Sequence, residues 1–282
     1  MVVTMKKAFF LLCLFCIPFS VSAQERATTH HQRAYAQNPH VSPEVWEKTA
    51  PYFLPDDHPA KPFLDQIFSS QRITLSRETA LQAGFFLTDH QGQQTTVMRH
   101  PGIPNYIIKV YFDNELAETK ELEHWIKRIE GAKAVQAAIV KRKYGSLFVV
   151  PQKWIYPLPA DPSLPAEGNY LRKNFVLIAE HMPLMGGPEN KWRYRMEISR
   201  SKLRKLFNIV TDAGMYDSVR PSNVPWTYNK QIAFVDTEVY HQWPVDYHPM
   251  LEFINRDMKR YWQSLIEQEK TKKALRAKSG KE

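Results

Sequence analysis

The sequence predicts an α+β fold in two lobes, and three observations carry that expectation. Apolar, β-rich segments cluster between residues 85 and 112. One long stretch of helical periodicity follows, over about residues 115 to 143. Short strands then run to about residue 179, after which the pattern is mainly helical. An antiparallel sheet with one long helix would form the first lobe, and a reduced helical part the second.

Each element has its own signal. Ser42-Pro43-Glu44 reads as a helix start, with Ser at the cap and Pro in the first turn. Val45, Trp46, Ala50, Phe53 and Leu54 supply its apolar side, and Pro55 stops it. Residues 62 to 68 form a second short amphipathic piece, and both pieces are placed to brace the main fold. Phe85 to Thr88, the polar turn Asp89-His90-Gln91-Gly92, and Thr95 to Met98 read as a hairpin. Tyr106 to Phe112 is a third strand, apolar except for Lys109. In the long helix Leu122, Trp125, Ile126, Ile129, Ala132 and Val135 recur at helical spacing. Leu147 to Val150, Trp154 to Tyr156 and Phe175 to Ala179 are further strands, with the Pro-rich loop 157 to 165 between the last two. A helix over about 200 to 213 ends at Gly214, a strand runs from Ile232 to Val235, and a last helix spans about 249 to 268.

The N-terminus predicts export. Lys6 and Lys7 precede a short apolar run, Ala8 to Phe19, and Val21-Ser22-Ala23 offers small residues for cleavage. The run is too short for a comfortable membrane span, so residues 1–23 read as a signal peptide and the destination as periplasmic or secreted. Cys13 and Cys16 lie within it, so the cleaved chain has no cysteine and neither disulfides nor thiolate chemistry. Removing Lys6 and Lys7 from the 38 basic residues leaves 36 against 29 acidic ones, and the formal charge falls from +9 to +7. Residues 24–82 comprise a polar, histidine-bearing segment and the bracing helices, 83–182 the sheet and long helix, 183–268 the helical part, and 269–282 a basic tail. A solvated helix end is the plain reading of that tail; an anionic partner is the other. No histidine or cysteine spacing matches a zinc site, and neither a Gly-x-Ser-x-Gly elbow nor a His-Glu-x-x-His motif occurs.

Chemistry-bearing residues occur in a definite order. Lys109 is a cation inside an apolar strand; Arg220-Pro221-Ser222-Asn223 and then Val235-Asp236-Thr237-Glu238 follow about a hundred residues later. A lysine, an Asn-bearing turn and an Asp closing a buried strand are parts that can hold a metal-bound triphosphate, because phosphoryl transfer depends on positioning and charge neutralisation. With these residues the chain resembles the protein-kinase-like superfamily, of the aminoglycoside-phosphotransferase and pseudokinase type. Tyr106-Ile-Ile-Lys109 looks like the third-strand lysine motif, and Phe175 to Met182 like the strand entering the interlobe hinge. Tyr216-Asp-Ser-Val-Arg-Pro-Ser-Asn223 resembles the catalytic loop, and Asp236-Thr-Glu238 the metal-binding Asp motif, 13 positions after Asn223. The chain is also similar to uncharacterised secreted kinase-like proteins of chlamydial-type intracellular bacteria. The resemblance covers about residues 83 to 245 and implies a two-lobed kinase-like fold. It implies ATP and Mg²⁺ as cofactors, Lys109 on the nucleotide phosphates, and Asn223 and Asp236 on the metal. An acid of the long helix would orient Lys109: Glu130, with Glu121 and Glu123 as alternatives.

The departures matter as much. The family's base falls five positions before Asn223, where this chain has Ser218; Asp217 stands one residue earlier and is the candidate catalytic residue. No Gly-rich phosphate loop occurs, and 44 residues follow Glu238, too few for a full set of C-lobe helices. The periplasm also supplies little ATP. The sequence therefore points to a degenerate kinase-like protein that binds a nucleotide or a protein partner, such as a host factor. An unconventional phosphotransferase using Asp217 and an exported binding protein of unrelated fold are the alternatives. Specific nucleic-acid recognition has no signal, and no membrane span remains after cleavage.

Overall fold

A computed structural model describes residues 35–88, 95–115 and 121–278. The expected signal peptide, the segment up to residue 34 and the hairpin turn at 89–92 lie outside the described residues. The fold is α+β, with a five-stranded antiparallel sheet and seven α-helices among the described residues. In chain order these are α1 (Pro43–Thr49), α2 (Lys61–Ser70), α3 (Arg77–Gln82), β1 (Phe86–Thr88), β2 (Thr96–Arg99), β3 (Tyr106–Val110), α4 (Glu121–Arg142), β4 (Phe148–Val149), β5 (Lys153–Pro157), β6 (Phe175–Glu180), α5 (Gly187–Met196), α6 (Arg200–Ala213), β7 (Ile232–Ala233) and α7 (Arg256–Lys278).

The sheet has the order β1-β2-β3-β6-β5. The interior strand β6, between β3 and β5, reads as a continuous apolar run because both faces are covered. Val176 and Ile178 pack with Ile108 and Val110 of β3 against α2, α3 and Phe85. Phe175 and Leu177 face the other way, with Ile155, and meet Trp46 of α1 and Trp125 and Ile129 of α4. Side chains alternate across a strand, so Lys109, between Ile108 and Val110, must point to the α4 face. By the same alternation Lys153 shares that face with Ile155.

The N-terminal helices do brace the sheet. Ser42 caps α1, its Oγ accepting from Val45 N at 3.3 Å. The segment after it covers the exposed edge of β5, where Leu54 N donates to Ile155 O at 2.9 Å. A buried Asp113 ties this region together: it accepts from Arg72 Nε and Nη2, both at 2.9 Å, from Thr74 Oγ1 at 3.0 Å and from Lys173 N at 2.6 Å. All of its lone-pair directions are engaged, which is what allows a carboxylate to sit fully buried.

The helical part has its own core. Val135, Ala138 and Ile139 from the second half of α4 join Leu206, Phe207 and Val210 of α6 and Trp262 of α7. The short strands β4 and β7 pair in parallel beneath them. Thus α4 belongs to both cores, its first half against the sheet and its second half against the helices. Gly214 takes the left-handed conformation, φ 59°, that closes α6.

Three expectations need correction. Helices α3 and α5 have no counterpart among the expected elements; α3 is set by a capping box between Ser76 and Thr79. The expected helix over 249 to 268 is a short 3₁₀ turn, His248–Glu252, followed by α7. Asn255 makes the break, its Oδ1 accepting from Asp257 N at 3.1 Å and Met258 N at 3.0 Å. The last helix, expected to end at about 268, continues to Lys278, and the basic segment from 269 is a helix end, in line with its plain reading.

Candidate functional site

Where the α4 face of the sheet meets the helical part, β3, β5, α4 and the segment after β7 bring their polar side chains together. Lys109 is half-buried there and makes no ion pair or side-chain hydrogen bond among the described residues. Burial pushes its ammonium down to about 8, and the neighbouring Arg128 adds repulsion; Asp236 and Glu238 oppose both. Lys153 is deeply buried and donates to neutral oxygens only: Thr237 Oγ1 at 2.6 Å and the carbonyls of Arg128 and Val235, each at 3.4 Å. Burial, and next the charge of Lys109, hold it well below its ordinary range, with Asp236 pulling the other way.

Arg128 of α4 is the central group. Its Nη1 lies 3.1 Å from Asp236 Oδ1 and its Nη2 2.9 Å from Glu238 Oε2, so one planar guanidinium spans two carboxylates. His124, one turn earlier, places Nδ1 2.6 Å from the other Glu238 oxygen, Oε1. Burial raises the Asp236 carboxyl, but Arg128, Lys109 and Lys153 outweigh it and leave the group below the usual carboxylate range. The chain of contacts is locked from behind. Thr237 Oγ1 donates to Arg128 O at 2.6 Å. Gly131 lets α4 approach so closely that a Cβ there would lie 1.7 Å from Thr237 O.

The loop before β7 brings the remaining candidates. Val235 N donates to Asn223 O at 3.1 Å, which ties the Asn turn to the segment after β7 that carries Asp236. Asn223 Nδ2 donates to Asp217 O at 3.4 Å, while its Oδ1 accepts from Ser222 Oγ at 3.2 Å. Ser218 is buried and donates to Asp236 O at 3.3 Å. Asp217 is exposed; burial of its carboxyl and then the charge of Asp236 raise it.

Lys109, Asp217, Asn223 and Asp236, singled out over 128 positions of sequence, therefore converge on one region. Glu130 does not join them. It pairs with Lys133 at 2.9 Å and lies beside Tyr52, whose phenol burial and then Glu130 push up to about 12. It is two residues past Arg128, so the helical repeat turns it to a different side. Neither alternative acid replaces it: Glu121 is buried beside Trp125 and Lys173, and Glu123 is exposed. The α4 residue that faces Lys109 is a cation. Arg128 and Lys153 escaped the sequence reading, although each had a signal. Arg128 shares the helical stripe of Trp125, Ala132 and Val135, and Lys153 shares the inward face of Ile155.

Mg²⁺ requires a near-octahedral shell of oxygens. Asp236 Oδ1 and Glu238 Oε2 are already bridged by Arg128, and Lys109 and Lys153 add positive charge around Asp236. Among the described residues no group of three His, Cys, Asp or Glu side chains is placed to hold a metal ion. As arranged, Arg128 already bridges the two carboxylates that a divalent cation would need, and Lys109 is left without an ion pair among the described residues. Compared with protein-family models and with curated proteins, the chain matches none.

Proposed function

We propose that this is an exported kinase-like protein that has lost phosphoryl transfer and acts by binding a nucleotide, through its phosphates, in the region between the sheet and the helical part. The observation that carries this reading is Lys109. A cation held half-buried on a sheet, with no ion pair among the described residues, is costly unless an anion completes it. Loss of catalysis is supported by Ser218, which stands at the family's base position and is consumed in holding Asp236 O. It is supported again by Arg128, which occupies the helix position where the kinase pattern would offer a carboxylate to the lysine.

A second reading is favoured by one observation. Partial burial of the Asp217 carboxyl, and next the charge of Asp236, raise it, the direction expected of a group that accepts a proton near neutral pH. On that reading Asp217 would take the proton of an acceptor hydroxyl as the phosphoryl group is transferred. Thermal melting of the purified protein with millimolar ATP, paired with a phosphoryl-transfer assay on generic acceptors, separates the two. Binding is expected as a rise in Tm with no transfer. Transfer abolished in Asp217→Asn would establish the second reading instead, and no rise in Tm under any condition would exclude both.

A further inference from the structure

We propose that the phosphate-bearing ligand of this site binds without a divalent metal, the Arg128 guanidinium occupying the bridging position between Asp236 and Glu238 that a metal would otherwise take. This inference rests on the nucleotide reading above and specifies the ionic form of the ligand. A guanidinium that spans Asp236 Oδ1 at 3.1 Å and Glu238 Oε2 at 2.9 Å supplies a positive charge to both carboxylates at once. It is a fixed part of the architecture. Its own carbonyl accepts from Thr237 Oγ1 and Lys153 Nζ, and Gly131 holds α4 against the Thr237 backbone.

Two N–H groups of Arg128 serve the carboxylates, and its Nε is buried without a hydrogen-bond partner. A guanidinium carries five N–H donors, so with Nε buried it is the second N–H on Nη1 and on Nη2 that an incoming oxyanion would meet while both carboxylates are kept. A metal–nucleotide complex would have to share Asp236 and Glu238 with Arg128 and would bring a dication up against the charges of Arg128, Lys109 and Lys153. A free polyphosphate meets Arg128 and Lys109 as attractive charges, Lys109 having no ion pair among the described residues, and it leaves the Arg128 bridge to Asp236 and Glu238 in place. The arrangement therefore favours the uncomplexed anion.

The test is a calorimetric or thermal-shift titration of the purified protein with ATP in excess EDTA, with ATP and excess Mg²⁺, and with inorganic triphosphate in EDTA. Binding in EDTA is expected to be at least as tight as with Mg²⁺. Lys109→Met should weaken it by about tenfold or more, the usual scale for a lost charged hydrogen bond. Arg128→Gln should weaken binding in EDTA and introduce a requirement for Mg²⁺, because Asp236 and Glu238 are released. Inorganic triphosphate as tight as ATP would mean that the phosphates carry recognition; triphosphate weaker than ATP would add a nucleoside contribution to the same metal-free site. Binding of ATP by the unaltered protein only when Mg²⁺ is present overturns the inference while leaving the nucleotide reading standing. Binding unaffected by Lys109→Met places the nucleotide elsewhere and overturns it too, and no binding in any arm removes both. If Lys109→Met fails to fold, the comparison of EDTA with Mg²⁺ on the unaltered protein still decides.

Discussion

Glu121, at the start of α4, is a buried carboxyl that the fold keeps protonated well above its ordinary range. Burial raises it to about 8; Lys173 and the Trp125 indole, 3.4 Å from Oε1, oppose that rise, and the buried Asp113 charge reinforces it. A carboxyl raised on folding binds its proton more tightly in the native than in the unfolded chain. Its contribution is therefore fully present below the unfolded value of about 4.5 and is lost as pH climbs towards 8. Glu121→Gln, which fixes the neutral form, should leave stability nearly unchanged at pH 5. At pH 8 it should exceed the unaltered protein by on the order of 1–3 kcal/mol, read by urea denaturation at the two pH values. A carboxylate that instead gained net stability from Lys173 would show the reverse ordering at pH 8. The contrast between Glu121 and Lys109 shows what single residues disclose in sequence. Lys109 announced itself because both strand neighbours are apolar and alternation leaves it one direction to point. Glu121 did not, because its burial is imposed by the tertiary placement of Lys173 and Phe175, more than fifty positions away.

At the scale of elements, α4 decides the character of the site. A glycine at position 131 costs the helix about 1 kcal/mol relative to alanine. Its compensation is the approach to Thr237, which brings Arg128 within reach of Asp236 and Glu238. Gly131→Ala would gain that propensity but drive Cβ to 1.7 Å from Thr237 O, a backbone atom that cannot swing aside. Net destabilisation of about 1–3 kcal/mol is expected, the usual cost of overpacking. The 236–238 segment should also move away from α4, which amide hydrogen exchange would detect as lost protection there. A stabilised protein with unchanged exchange would mean that the contact does not constrain the segment. The existence of α4, of the sheet strands and of α6 was readable because each buries a periodic apolar stripe. Helix α5 was not, since only Asn190 and Tyr194 of its ten residues are buried and no apolar stripe marks it. The break before α7 lies in the side-chain oxygen of Asn255, a local bond that periodicity does not register.

For the whole molecule, stability rests on three buried clusters, two on the faces of the sheet and one among the helices, joined by α4 and by the buried Asp113 network. No cysteine lies among the described residues, so none of these clusters depends on a thiol or a disulfide. Hydrophobic burial and the buried Asp113 network therefore carry the fold of these residues. Both cysteines belong to the segment read as a signal peptide, which makes thiol content a direct reporter of processing. Protein recovered from outside the cytoplasm should begin at Gln24, react with no thiol reagent after denaturation, and melt at the same temperature with and without reductant. Two reactive thiols and an intact Met1 in that fraction would show that the leader is kept. Cys13 and Cys16 would then remain available for anchoring or pairing, and the site formed by Lys109, Arg128 and Asp236 would belong to a tethered protein rather than to a freely diffusing binder.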